Sequence, residues 1–256
     1  MVPVLYYLPP SPPCRSILLL GKLLGIEFEL HLVNILEGEQ MKPEFLQMNP
    51  QHCVPTLDDG GLVLWESRAI LSYMTTAYAK DDSLYPKDMR VRALVDQRMQ
   101  FDLGTLYARM ADYYFPTMFL GASLDEGKKA KLREAIGWLD AVLKGRDFLA
   151  ADHFTIADLT LLVTVSQIEA FGFDLNAFNR TKAWLQRCKD ELESYDYEVK
   201  TDYSKMRNEV LLKVIKCILL WKLLQEINEP CSTTLCTDDK VMKRRITQLL
   251  GLCRVE

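Results

Sequence analysis

The chain opens on an apolar run, Val2-Pro3-Val4-Leu5-Tyr6-Tyr7-Leu8, which predicts a buried strand. Pro9-Pro10-Ser11-Pro12-Pro13 ends it, and Cys14 to Leu24 follows a helical period closed by Gly25. Ser11 stands where an N-cap belongs, with prolines in the first turn, where a missing N–H costs nothing. Phe28 to Val33 alternates as a second strand, and this spacing of strand, helix and strand predicts a right-handed parallel unit. Pro43 to Met48 predicts a short helix. The apolar runs ending at Leu57 and spanning Leu62 to Trp65 flank Asp59-Gly60-Gly61, a hairpin signal. Ser67 is then placed to cap a third helix reaching Tyr78.

The order over residues 1–80 is thus β-α-β-α-β-β-α, that of a thioredoxin-like domain. In that fold the bond before the edge-strand proline, here Val54-Pro55, is often cis, and Val54 is left to pair with an extended peptide. Ala79 to Pro86 is polar and reads as a linker. Beyond it the period is helical throughout. Asp88 to Arg109 or beyond predicts one long helix that Pro116 breaks or bends, followed by a helix from Glu126 to Leu143. Thr155 and Asp158 form a capping box, with Phe154 and Leu159 as its staple, worth roughly 0.5–2 kcal/mol. The helix that follows, to about Phe171, is apolar on nearly every side and should be central to this half. Arg180 to Leu192 is one more helix. The fold class is therefore α+β: a thioredoxin-like domain over 1–80, an all-helical domain over 87–205, and an extension over 206–256. The extension holds a lysine-punctuated apolar helix at 205–228 and a basic Lys243-Arg244-Arg245 run.

Composition narrows the function. With 49% hydrophobic and 26% charged residues and a net charge of −4, the chain has the balance of a soluble globular protein, without the basic surface that nucleic-acid backbones need. No apolar run approaches the ~20 residues of a membrane span, and no leader peptide is apparent. Seven irregularly spaced cysteines and three histidines give neither a disulfide framework nor a zinc pattern. Reduced cysteines in the cytoplasm, and no metal, are expected. The local chemistry points to a small zwitterion. The strand edge at Val54-Pro55 and the helix start at Glu66-Ser67 should lie together and offer both backbone and polar side-chain groups.

Four stretches then carry a resemblance. Tyr6-Tyr7-Leu8-Pro9-Pro10-Ser11-Pro12-Pro13-Cys14-Arg15 resembles the start of cytosolic glutathione transferases. Asn49-Pro50-Gln51-His52-Cys53-Val54-Pro55-Thr56-Leu57 and Leu64-Trp65-Glu66-Ser67-Arg68-Ala69-Ile70 resemble their glutathione site. Phe101-Asp102-Leu103-Gly104-Thr105-Leu106-Tyr107, with Ala111-Asp112-Tyr113-Tyr114-Phe115-Pro116, is similar to the insect delta class in particular. The similarity spans roughly residues 2 to 205, with several motifs in the family's order.

The resemblance implies an enzyme that conjugates the thiolate of glutathione, its co-substrate, to apolar electrophiles for detoxification, and an extension to dehydrochlorination by the same thiolate. Ser11 would hold the sulfur. His52, Cys53, Val54, Glu66, Ser67 and Arg68 would bind the tripeptide, with Cys53 equally readable as packing. Pro13, Tyr107, Met110, Tyr114, Phe115, Met118 and Phe119 would line the second-substrate pocket, some of them as plain core. A cytoplasmic homodimer is implied. Two positions depart from the delta pattern: Pro10 replaces a glycine and Gln40 a frequent histidine. They motivate an alternative, a non-catalytic transferase-like module that binds apolar ligands or protein partners. A third reading, thiol transfer through Cys14, also stands.

Overall fold

The computed structural model describes residues 2–192. The 206–256 extension, its expected helix and its basic run lie outside them. Strands β1 (Val4–Tyr7), β2 (Glu29–Leu32), β3 (Thr56–Asp59) and β4 (Leu62–Trp65) form one sheet in the order β2-β1-β3-β4. β1 and β2 are parallel, joined through helix α1 (Pro12–Leu24), while β3 and β4 form the expected antiparallel hairpin beside β1. The hairpin turn is closed by Asp58 Oδ1, which accepts from the Gly61 N–H at 2.8 Å. Helices α2 (Pro43–Met48) and α3 (Ser67–Tyr78) complete the predicted order.

Helix α1 ends as its sequence dictates. Gly25 takes the left-handed conformation at φ 69° and its N–H returns to the carbonyls of Gly21 and Lys22. The inner face of α1 buries Ile17, Leu19 and Leu20 against α3 and against the helical half. Gly21 is held to glycine by a neighbour: a Cβ there would meet Phe28 Cε2 at 2.3 Å. Gly21→Ala is expected to destabilise the fold by about 1–3 kcal/mol through overpacking, read as a lower urea midpoint at unchanged slope.

The second half is helical: α4 (Met89–Phe101), α5 (Ala108–Leu120), α6 (Glu126–Val142), α7 (Ile156–Ala170) and α8 (Asn179–Glu191). The long helix expected from Asp88 runs unbroken to Leu120, as α4 and α5 continued through a wider π-helical stretch over Asp102–Tyr107, with Asp88 as its cap. Asp88 Oδ1 accepts the N–H groups of Arg90 and Val91, each at 3.0 Å. Pro116 does not end α5, which continues to Leu120. Proline deprives the carbonyl four residues before it of an N–H partner. That carbonyl, Asp112, receives Lys128 Nζ at 3.3 Å instead.

Helix α7 is buried around its whole circumference from Ile156 to Val165, as its apolar sequence predicted. Its capping box closes. Asp158, fully buried, accepts the N–H and hydroxyl of Thr155, both at 3.0 Å, and also the Leu149 N–H and Trp184 Nε1, both at 2.9 Å. Burial pushes this carboxyl above its ordinary value and the donors pull it back.

The linker is tied to the α6–α7 connection. Ile156 N donates to Leu84 O at 2.9 Å, and the His153 ring stands 3.0 Å from Ser83 O and 2.7 Å from Asp152 Oδ1. Both ring partners are acceptors, so the charged imidazolium is favoured and the Asp152 bond leads in raising the pKa from 6.5. The stability this lends is complete below pH 6.5 and is lost as pH rises through the raised folded-state value. The gap in unfolding temperature between the wild type and His153→Gln is therefore expected to be widest in acid and to close on the alkaline side. An equal gap at both ends would refute the coupling.

Candidate active site

The sheet register gathers three loops at one end. Tyr6 pairs with Thr56, and Thr56 with Trp65. The chain leaving β1, the chain entering β3 and the chain leaving β4 therefore emerge side by side. They carry Leu8–Ser11, His52–Pro55 and Glu66–Arg68.

Ser11 sits at the N-cap position of α1, but its side chain makes no capping bond. Its backbone N–H instead closes a turn onto Leu8 O at 3.0 Å. Pro12 and Pro13 occupy the first turn, so Cys14 carries the first N–H of the helix. The positive end of α1 thus has fewer donors than an ordinary helix start, which leaves more of any anion stabilisation to the Ser11 hydroxyl. Cys14 itself is fully buried, and burial raises its thiol to about 11. A neutral, enclosed thiol is a poor nucleophile, which weighs against thiol transfer.

The second loop bends at His52, which takes φ 45°, and the Val54–Pro55 bond is cis. Asn49 holds the bend from beneath. Its fully buried amide donates to Thr56 Oγ1 at 2.8 Å and Cys53 O at 3.1 Å, and its oxygen accepts the Gln51 N–H at 2.9 Å. Asn49 drew no role from the sequence beyond membership of a motif; an asparagine before proline at a helix end was its signal. Gln40 points its amide back to Ile35 O at 3.3 Å.

The third loop corrects an expectation. Ser67 is not the cap of α3 but its first residue, and Glu66 holds the cap position with φ 69°. His52 and Glu66 are the non-glycine residues with positive φ among those described, and each such conformation costs of order 1–3 kcal/mol. Both loops therefore carry backbone strain that the surrounding fold must hold. Ser67 is buried, Glu66 exposed.

Arg68 turns inward. Its guanidinium is buried, pairs with Asp102 of the π-turn, donates to Ser67 Oγ at 2.9 Å and lies 5.4 Å from the centre of the Tyr107 ring. Asp102 is fully buried. The sequence had marked it only within a family motif, although a lone carboxylate in an apolar helical stretch was itself a signal. Tyr107, half-buried, is raised to about 12 mainly by burial. Of the other predicted pocket residues, Phe115 bridges Tyr107 and Phe119 by edge-on ring contacts, and Met118 and Pro13 are half-buried. Met110 is enclosed in the core and Tyr114 packs on Phe171, so neither offers much surface to a ligand. A cavity of about 240 Å³ lies elsewhere, between β2 and α2, walled by Tyr6, His31, Lys42 and Phe45.

The family models for the glutathione S-transferase N-terminal and C-terminal domains match residues 10–77 and 106–191. Glutathione S-transferase D7 of Anopheles gambiae is 66% identical over 198 residues, 77% of this chain and 91% of that protein. The chain belongs to the glutathione S-transferase family. Within it the resemblance is to the insect delta class. The glutathione transferase BmGSTD1 of Bombyx mori superposes with a TM-score of 0.79 at 48% identity, covering 82% of this chain and 98% of that one. A delta-class glutathione transferase of Nilaparvata lugens gives 0.77 at 44%, covering 81% and 99%. The thioredoxin-like sheet followed by a helical domain is the glutathione S-transferase fold. Among the described residues no cluster of His, Cys, Asp or Glu could hold a metal, and no helix is long and apolar enough to cross a membrane.

Proposed function

We propose that this glutathione transferase conjugates glutathione to apolar electrophiles at the hollow between Ser11, the His52–Val54 bend and Glu66–Ser67. The convergence of these loops at one sheet end, over strained His52 and Glu66, carries the reading. The residues 1–80 hold the tripeptide and the helices from residue 87 onward hold the acceptor. The backbone of Val54 pairs with the cysteinyl unit as an added strand. Glu66 and Ser67 take the γ-glutamyl ammonium and carboxylate, the latter at the head of α3. His52 meets the glycyl carboxylate. Arg68 and Cys53 act one layer back, Arg68 by orienting Ser67 Oγ and Cys53 by packing under the bend.

A free thiol, with a pKa of about 8.5, is only a few per cent ionised at neutral pH. The Ser11 hydroxyl donates to the sulfur, favours the thiolate and leaves it aimed at an electrophile held near Tyr107, Phe115, Met118 and Phe119. Attack forms the carbon–sulfur bond and expels the leaving group; with a chlorinated substrate the same thiolate can instead remove a proton and eliminate chloride. A cytoplasmic homodimer is the expected setting.

Capture on immobilised glutathione followed by conjugation of a chlorodinitrobenzene tests the reading. Turnover by the captured protein is expected. Tight capture without turnover would favour the non-catalytic module that Pro10 and Gln40 suggest.

A further inference from the structure

The loop that carries Ser11 is poor in the groups that normally fix a backbone. Across residues 8–13, positions 9, 10, 12 and 13 are prolines, so Leu8 and Ser11 carry its only N–H groups. The Ser11 N–H closes the turn onto Leu8 O at 3.0 Å. The Leu8 N–H reaches forward to Cys14 Sγ at 3.5 Å. One of the loop's two amide donors therefore ends on a sulfur. It sits in the first turn of α1, fully buried, where the helix itself holds it still.

We propose that Cys14 is a positioning residue, whose sulfur tethers the proline-rich Leu8–Ser11 turn and so holds Ser11 where glutathione requires its hydroxyl. This rests on the role given to Ser11 above. A capping box ties a helix start by a side chain three residues into the helix reaching back to the cap. Cys14 makes the longer version of that tie, past two prolines that have nothing to donate. The Ser11 hydroxyl makes no capping bond and is left for the sulfur of glutathione. A thiolate is a strong acceptor, so the hydroxyl turns to glutathione when the tripeptide binds. Burial also keeps the Cys14 thiol neutral, so it adds no negative charge beside the glutathione sulfur.

The test uses the full chain with Cys14→Val, which is branched, slightly larger and loses the acceptor, Cys14→Ala, which needs no extra room, and Cys14→Ser, which keeps an acceptor. The ultraviolet absorbance of the thiolate of bound glutathione, followed against pH, reads the ionisation without any electrophile. For Cys14→Val and Cys14→Ala the midpoint is expected to rise by about one pH unit, with kcat at neutral pH about tenfold lower and KM for glutathione nearly unchanged. Cys14→Ser is expected to recover most of both. A purely structural cysteine would shift the unfolding temperature and leave the midpoint where it was. That result, or a Cys14→Ser protein as impaired as Cys14→Val, overturns the inference while the wild-type reading stands. A wild type that ionises no bound glutathione overturns both.

Discussion

Ser11→Ala is expected to slow glutathione conjugation about 50-fold at pH 6.5 while glutathione affinity changes less than about threefold. Without the hydroxyl, the bound thiol returns toward its free value of about 8.5. If Ser11 lowers that value by two units, the difference is about 2.7 kcal/mol of preference for the thiolate. The sign follows from the titration. Below the wild-type midpoint both proteins lose thiolate in parallel and the ratio of rates is greatest. Above about pH 8.5 both are ionised and the rates converge. A pH series of kcat/KM for both proteins measures this directly. A ratio that stays constant across the series would mean that Ser11 acts through position alone, and wild-type rates in Ser11→Ala would remove it from the mechanism.

The largest loss of stability is expected at Asp158. Its carboxylate gathers the Leu149 N–H, the Thr155 N–H and hydroxyl, and Trp184 Nε1 in a fully buried place. Alanine would strand these donors out of reach of water, each at about 1–3 kcal/mol, and open a cavity beside Trp184. Some relaxation will recover part of this, so about 3–5 kcal/mol is expected for Asp158→Ala, and a fall of about 10 °C in unfolding temperature for a domain of this size. Asp158→Asn, which keeps one acceptor, should fall between. Calorimetry of the three proteins decides it. A loss under about 1 kcal/mol would show that the donors find other partners.

The elements were legible where local chemistry decides them. Gly25, the Asp59-Gly60-Gly61 turn and the Thr155–Asp158 box each settle a boundary through their own backbone or side chain, and each appears where the pattern placed it. Pro116 does not break its helix because the rule for proline concerns one hydrogen bond, and Lys128 supplies the missing partner from another helix. The expectation for Ser67 failed by one residue: Glu66 adopts a conformation that local preference disfavours and that only the assembled hollow sustains. Asp102 and Arg68 lie 34 positions apart, and no local period links them. Asn49 shows the same limit, since its work is done across a bend rather than along an element. The family motifs marked these residues; their physical reasons appear only once the chain is closed.

The seam between sheet and helices has a consequence for how the protein comes apart. Arg15 of α1 donates to Val163 O in the middle of α7, at 2.9 Å, and Arg68 of α3 is neutralised by Asp102 of the π-turn. Either half alone would expose the apolar face of α1 or α7 and lose the Arg68–Asp102 pair. Thermal or denaturant melting should therefore show one transition, with sheet-borne and helix-borne probes coincident. A first half cut free at the linker would be an ill-packed fragment and not a smaller glutathione-binding protein.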